Sequence, residues 1–282
     1  MRTKAIVTLA LLVCVAQGAA AQDVRSVLQA VAQNIGADRL TTLEISGAGG
    51  FGAAPGASHS PNDDWPRFEL KSYRLQIDFD TGYLREQMTR AQGSYPVLGG
   101  NQGVSPDRDH TLDVALNGDW AWTIAGGGAG PLDREGYMDG IPVPELRKLQ
   151  ILLTPHGFVK AALARGANPS LVRSVARGSP VHYVSIRALD KYTVTAALNA
   201  ENEVMHVQTR VANPMFGDML YETRYGDYAQ FGTLKYPQYV HHHQGDERLN
   251  RGHNALEVRV SAARANGPIE VLTPPDSARR PP

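Results

Sequence analysis

Apolar and polar positions change period along the chain, and each change predicts an element. Val24, Val27, Leu28, Val31 and Ile35 recur with the i, i+3, i+4, i+7 spacing of one helical face, behind Asp23 as a cap and before Gly36 as a stop. Further on, Tyr73, Leu75, Ile77 and Phe79 alternate with Arg74, Gln76 and Asp78, the period of a half-buried strand, and Asp80-Thr81-Gly82 reverses the chain. Leu112, Val114 and Leu116 alternate up to Asn117-Gly118, and Trp120, Trp122 and Ile124 alternate after it, which predicts a tight hairpin.

Between Val181 and Val211 the pattern predicts three strands in series, carried by Val184 and Ile186, by Tyr192, Val194, Ala196 and Leu198, and by Met205, Val207 and Val211. Their short connections force antiparallel neighbours. More strands follow around Met219 to Tyr225, Thr233 to His242 and Leu256 to Val260, giving about ten, the size at which an open sheet curls. Helical spacing returns once, as the stripe Val143, Leu146, Leu149 and Leu153, and Thr154-Pro155 restarts a second helix with Phe158, Val159, Ala162 and Leu163. A helical pair apolar on one side and inserted between strands must cover the sheet. The expected fold is therefore α+β and mainly β: a large curled antiparallel sheet or half-barrel, with an N-terminal helix and an inserted helical pair on its concave face.

Glycine-rich stretches at Gly47 to Gly56, Gly99 to Gly103 and Gly126 to Gly130 read as loops. The ends of the chain add targeting and linker signals. Arg2 and Lys4 precede the apolar run Ala5 to Ala16, and Gly18-Ala19-Ala20-Ala21-Gln22 offers small residues to a signal peptidase, so residues 1–21 read as a secretory leader cut after Ala21. Residues 22–272 form one expected domain, and the Pro-rich 273–282 an unstructured tail or linker remnant. The product is expected to be exported, in the periplasm. Its one cysteine, Cys14, lies in the leader, so the mature chain carries no disulfide and no thiolate ligand. The 28 basic residues balance the 28 acidic ones, which leaves no field to attract nucleic acid, and no later segment is a transmembrane candidate.

Chemistry-bearing motifs are few. His241-His242-His243, followed by Asp246 and His253, is the histidine cluster of the chain, but on a strand His241 and His243 share a face while His242 points away, so metal binding by these residues stays open. Asp218, Glu222 and Asp227 are carboxylates close in sequence, read equally well as a solvent-facing row as an acid/base pair. No Gly-x-Ser-x-Gly nucleophile motif is present. No cofactor is implied. The sharper reading is apolar: Trp120, Trp122, Leu149, Leu153 and Phe158 would line a cavity beneath the helical pair that takes a lipid-like or other hydrophobic ligand.

Leu149 to Leu163 and Asn213 to Pro237 resemble the N-terminal region of exported metallo-β-lactamase-fold hydrolases, and Trp65-Pro66-Arg67-Phe68 and the Trp120, Trp122 hairpin are similar to the same region. The zinc-binding His-x-His-x-Asp-His motif of that family is not found in this sequence, so the resemblance implies a non-catalytic region with no zinc ligands to carry over, either an accessory to a hydrolase partner or a fragment of a zinc-dependent hydrolase of that fold. The region is also similar in outline to the curled sheet with helical lid of periplasmic lipoprotein carriers.

Overall fold

In the computed structural model, residues 23–52, 67–92, 109–124, 141–213, 217–245 and 253–279 are described. The expected leader 1–21 and the glycine-rich segments at 53–56, 99–103 and 126–130 lie outside them. Helix α1 (23–35) buries the predicted stripe, with Val24, Leu28, Val31 and Ile35 against the core, and Gly36 ends it in the left-handed region.

Twelve strands follow: β1 (Thr42–Gly52), β2 (Arg67–Asp78), β3 (Tyr83–Gln92), β4 (His110–Asn117), β5 (Trp120–Thr123), β6 (Ser170–Ala176), β7 (Ser179–Ala188), β8 (Tyr192–Leu198), β9 (Val204–Asn213), β10 (Gly217–Phe231), β11 (Leu234–Gln244) and β12 (His253–Ala265). They form one antiparallel sheet in the order β5-β4-β3-β2-β1-β12-β11-β10-β9-β8-β7-β6, open between β5 and β6. Helices α2 (Val143–Leu153) and α3 (Pro155–Leu163) sit in the connection from β5 to β6, and a helical turn, α4 (Asp276–Arg279), lies near the C-terminus. Thr154 separates α2 from α3 as the pattern predicts: its Oγ1 accepts from the Gly157 amide at 3.0 Å, and Pro155 opens the second helix.

Two contacts of α2 prove that the sheet curls. Glu145 accepts from the hydroxyl of Tyr192 on β8, while Lys148, one turn on, pairs with Asp119 in the β4–β5 turn at 2.5 Å. β5 and β8 stand nine strand spacings apart in the sheet. At ~4.8 Å per spacing a flat sheet would hold them ~43 Å apart, whereas one turn of helix rises only ~5.4 Å. The helical pair thus lies inside the curve. Leu149 and Leu153 of α2 join a core with α1, α3 and β7 to β10, and Ile151 between them joins the core of β1 to β5, β11 and β12.

Three strands have no counterpart in the pattern read from the sequence, each for its own reason. β1 contains Gly47 to Gly52, expected as loop. A Cβ at Gly47 would sit on the carbonyl oxygen of Arg259, and one at Gly49 on that of Glu257, so glycine is what the close approach of β12 requires. β3 places Glu86 and Arg90 among Leu84 and Met88 on its buried face, which hides its period. β6 is exposed on nearly every residue and has no period to show. Replacing Gly49 with alanine must push β1 from β12 and is expected to cost about 1–3 kcal/mol, read as a lower urea midpoint at unchanged slope.

The Pro-rich C-terminal stretch packs on the sheet over its described residues. Ala278 is buried on the outer face of the sheet with Trp122, Tyr83 and Ala115, and Ile269 and Leu272 pack around them. Asn117 donates to the Leu272 carbonyl at 3.0 Å. Small and apolar residues among the prolines give the segment something to bury, which composition alone does not weigh.

Candidate functional site

Register determines which side chains reach the concave interior, because cross-strand partners share a face. Leu75 and Ile77 on β2 pair with Glu86 and Leu84 on β3, and these pair with Val114 and Leu116 on β4. Leu116 pairs with Ala121 on β5, so Ala121 faces inward and Trp120 and Trp122 face outward. The five predicted cavity residues therefore divide. Leu149, Leu153 and Phe158 meet in the interior core. Trp122 is buried on the opposite face beneath the C-terminal segment, and Trp120 is 36% exposed. The alternation that identified the hairpin gives two faces and cannot say which one is concave.

The interior also holds polar groups. Glu86 accepts from Tyr73 Oη at 2.9 Å and Gln150 Nε2 at 2.8 Å through one oxygen, and from Arg147 Nη1 at 2.5 Å through the other. Arg147 donates as well to Gln150 Oε1 at 2.7 Å. Burial opposes the Arg147 charge, and Glu86 beside it more than restores it, so the guanidinium is held above its ordinary value. Burial, then the Glu86 charge, pushes the Tyr73 hydroxyl well up. On β10 and β11 the same interior receives Tyr221, Thr223 and His242: Thr223 Oγ1 and His242 Nδ1 are 3.0 Å apart, and the Tyr221 ring meets the imidazole edge-on at 4.4 Å. The sequence signal for this band is a charge on an apolar face, Glu86 between Leu84 and Met88.

His156 on α3 is fully buried. Its Nε2 donates to the Ile35 carbonyl at 3.0 Å, and its ring stacks on Tyr236 at 5.5 Å, which ties α3 to the end of α1 and to β11. Burial holds the imidazole at about 4, aided by Lys160. Burial holds His242 at about 4 as well, with His241, His243 and Arg147 contributing. Both depressed values lie below the unfolded one of 6.5. Between pH 6.5 and 4 the unfolded chain binds more protons than the folded one, so stability must fall as pH falls through that window. Lowering the pH from 6.5 to 5 is expected to cost about 2 kcal/mol through His156, and urea midpoints of the wild type and His156→Gln across that range measure it. The variant should lose that part of the slope.

His241 and His243 lie on the outer face, their rings 5.9 Å apart, with His242 inward, the split that strand geometry predicts. Among the described residues no group of three or more His, Cys, Asp or Glu is placed to hold a metal ion. Glu222 accepts from Arg224 Nε at 2.7 Å, and Asp227 accepts from Arg259 Nη1 at 3.0 Å. These carboxylates are thus engaged in separate ion pairs. No helix among the described residues is long and apolar enough to cross a membrane.

Gly47 and Gly49 stand in register with the inner residues Tyr73 and Leu70 and contribute no side chain. The inner residues Leu112, Val240 and Leu256 are only half-buried although they pack on the core.

No protein-family model matches the chain, and no curated protein sequence matches it. Among solved structures it is similar to a LolA superfamily protein from Nitrosomonas europaea (12% identity, TM-score 0.44, 89% of this chain and 95% of that one). It is similar as well to an outer membrane lipoprotein-sorting protein domain from Vibrio parahaemolyticus (11% identity, TM-score 0.48, 86% and 93%). A third is a DUF1329 family protein from Desulfovibrio piger (9% identity, TM-score 0.40, 87% and 94%). The mainly antiparallel, unclosed sheet with its inner helices rests on the strand order and register themselves.

Proposed function

We propose that the chain is an exported, non-catalytic binding or carrier module that takes a hydrophobic, lipid-like molecule on its concave face. What supports this reading is that the inner residues Val240 on β11 and Leu256 on β12, and Leu112 on β4 further along the same face, stay half-buried while Gly47 and Gly49 of β1 contribute no side chain. Apolar side chains on a concave wall gain most from an apolar guest. The interior residues of the predicted set that belong to this reading are Leu149, Leu153 and Phe158, which anchor the cover; Trp120 and Trp122 lie on the other side of the sheet. Arg2, Lys4 and the run Ala5 to Ala16 support export.

Native mass spectrometry of the gently purified mature protein tests the reading, together with titration of a fluorescent fatty acid. A co-purified or saturable apolar ligand, displaced by Leu112→Glu or Leu256→Glu, is expected; its repeated absence would sink the reading. The association with a metallo-β-lactamase-fold hydrolase that the sequence resemblance implies is a separate proposal. Affinity capture of such a hydrolase from the exported fraction checks it.

A further inference from the structure

The two edges of the open sheet are unlike. β5 has four residues, with α2 and α4 packed on it and Trp122 buried under Ala278. β6 has seven, and residues 172–180, from β6 through the turn to the start of β7, are exposed without a break. Val172 and Val175, at 62% and 68%, are the most exposed large apolar side chains among the described residues. They point to opposite faces, so both faces of the ribbon are apolar and open.

Edge strands are normally blunted by proline, a bulge or an inward charge. β6 has one of these, the charge of Arg173 on the inner face beside Leu171, but it contains no proline, and its register with β7 runs unbroken over seven pairs. One side of its backbone therefore presents a regular row of amides and carbonyls. The sequence around the edge is basic, with one acid set against it from α1. No Asp or Glu occurs from Leu146 to Leu189, and Arg165, Arg173 and Arg177 are exposed along or beside the edge. The acid facing them is Asp23 of α1, paired with Arg173 at 2.5 Å.

We propose that β6 is an acceptor edge for an extended acidic segment of a partner protein, which adds to the sheet as a further strand. The backbone row supplies the hydrogen bonds, Val172 and Val175 supply apolar contact to alternate side chains, and the arginines select acidic flanks. A second copy fits less well, because two-fold pairing of β6 with itself sets the arginines of both copies along one ribbon. An anionic membrane surface would meet the arginines but leave the amide row unsatisfied.

A fluorescently labelled synthetic peptide of alternating Glu and Val tests this against the mature protein, by anisotropy and by amide hydrogen exchange. Saturable binding is expected, with slowed exchange confined to residues 170–176, no binding of the matching Lys/Val peptide, and a loss on adding salt. Val172→Glu and Arg177→Glu, both on exposed positions, should each raise Kd by about tenfold or more with the circular dichroism spectrum unchanged. Three results would overturn the proposal. The first is no saturation up to about 1 mM peptide with unaltered exchange. The second is slowed exchange of 170–176 that grows with protein concentration alone, the mark of a second copy. The third is that vesicles of phosphatidylglycerol and phosphatidylcholine bind in place of the peptide while 170–176 exchange freely.

Discussion

Replacing Glu86 with alanine is expected to lower the stability of the fold by about 3–5 kcal/mol, the cost of stranding a buried charge. The side chains of Glu86 and Arg147 are 4% and 16% exposed, and the carboxylate is the acceptor for Tyr73, Gln150 and Arg147 together. Alanine leaves the guanidinium without its counter-charge and the Tyr73 hydroxyl without an acceptor, each a loss beyond the hydrogen bond itself. For a domain of this length the melting temperature should drop by about 10 °C. The pair Glu86→Leu with Arg147→Met removes both charges at once and should recover the part of the loss due to the stranded guanidinium, while Tyr73 and Gln150 stay without their acceptor. A double variant as unstable as Glu86→Ala would show that the ion pair itself, and not the stranded charge, holds α2 on β3.

Phe158→Ala should cost a similar amount, about 3–5 kcal/mol, through a different cause. Phe158 is fully enclosed among α1, α2 and β7 to β10, and the closed interior cannot collapse onto the space an alanine leaves. The effect should also be local: hydrogen exchange in α2 and α3 should quicken more than in β1 to β4, because the helical pair loses its anchor on one half of the sheet. Denaturant unfolding and exchange mass spectrometry measure the two parts separately. Uniform quickening across the sheet would mean that the helices do not open as a unit.

Much of this architecture was legible in the residues. The stripe from Val24 to Ile35, the Thr154-Pro155 restart and the hairpin of β4 and β5 stand where local periodicity places them, although the turn falls on Gly118-Asp119, one residue beyond the expected Asn117-Gly118, and in β9 a register shift buries Val204 and exposes Met205. Such signals are local, set by which face a backbone geometry shows. β1 was hidden because its glycines answer to the backbone of β12, more than 200 residues away in sequence. β3 was hidden because Glu86 looks like a solvent residue until Arg147 is brought to it from 61 residues further on.

The candidate site was less legible, for the same reason. Leu149, Leu153 and Phe158 lie in the interior core because helical stripes facing a sheet are buried whatever the details. Trp120 and Trp122 were placed with them because rings on a strand give no sign of which side will be concave. What the chain determined alone was its series of amphipathic elements and the short turns that make neighbours antiparallel. The direction of the curl, the face on which the helices settle and the open edge at β6 were decided only in the tertiary structure, because each is a contact between segments far apart, whose burial no single stretch of residues can register.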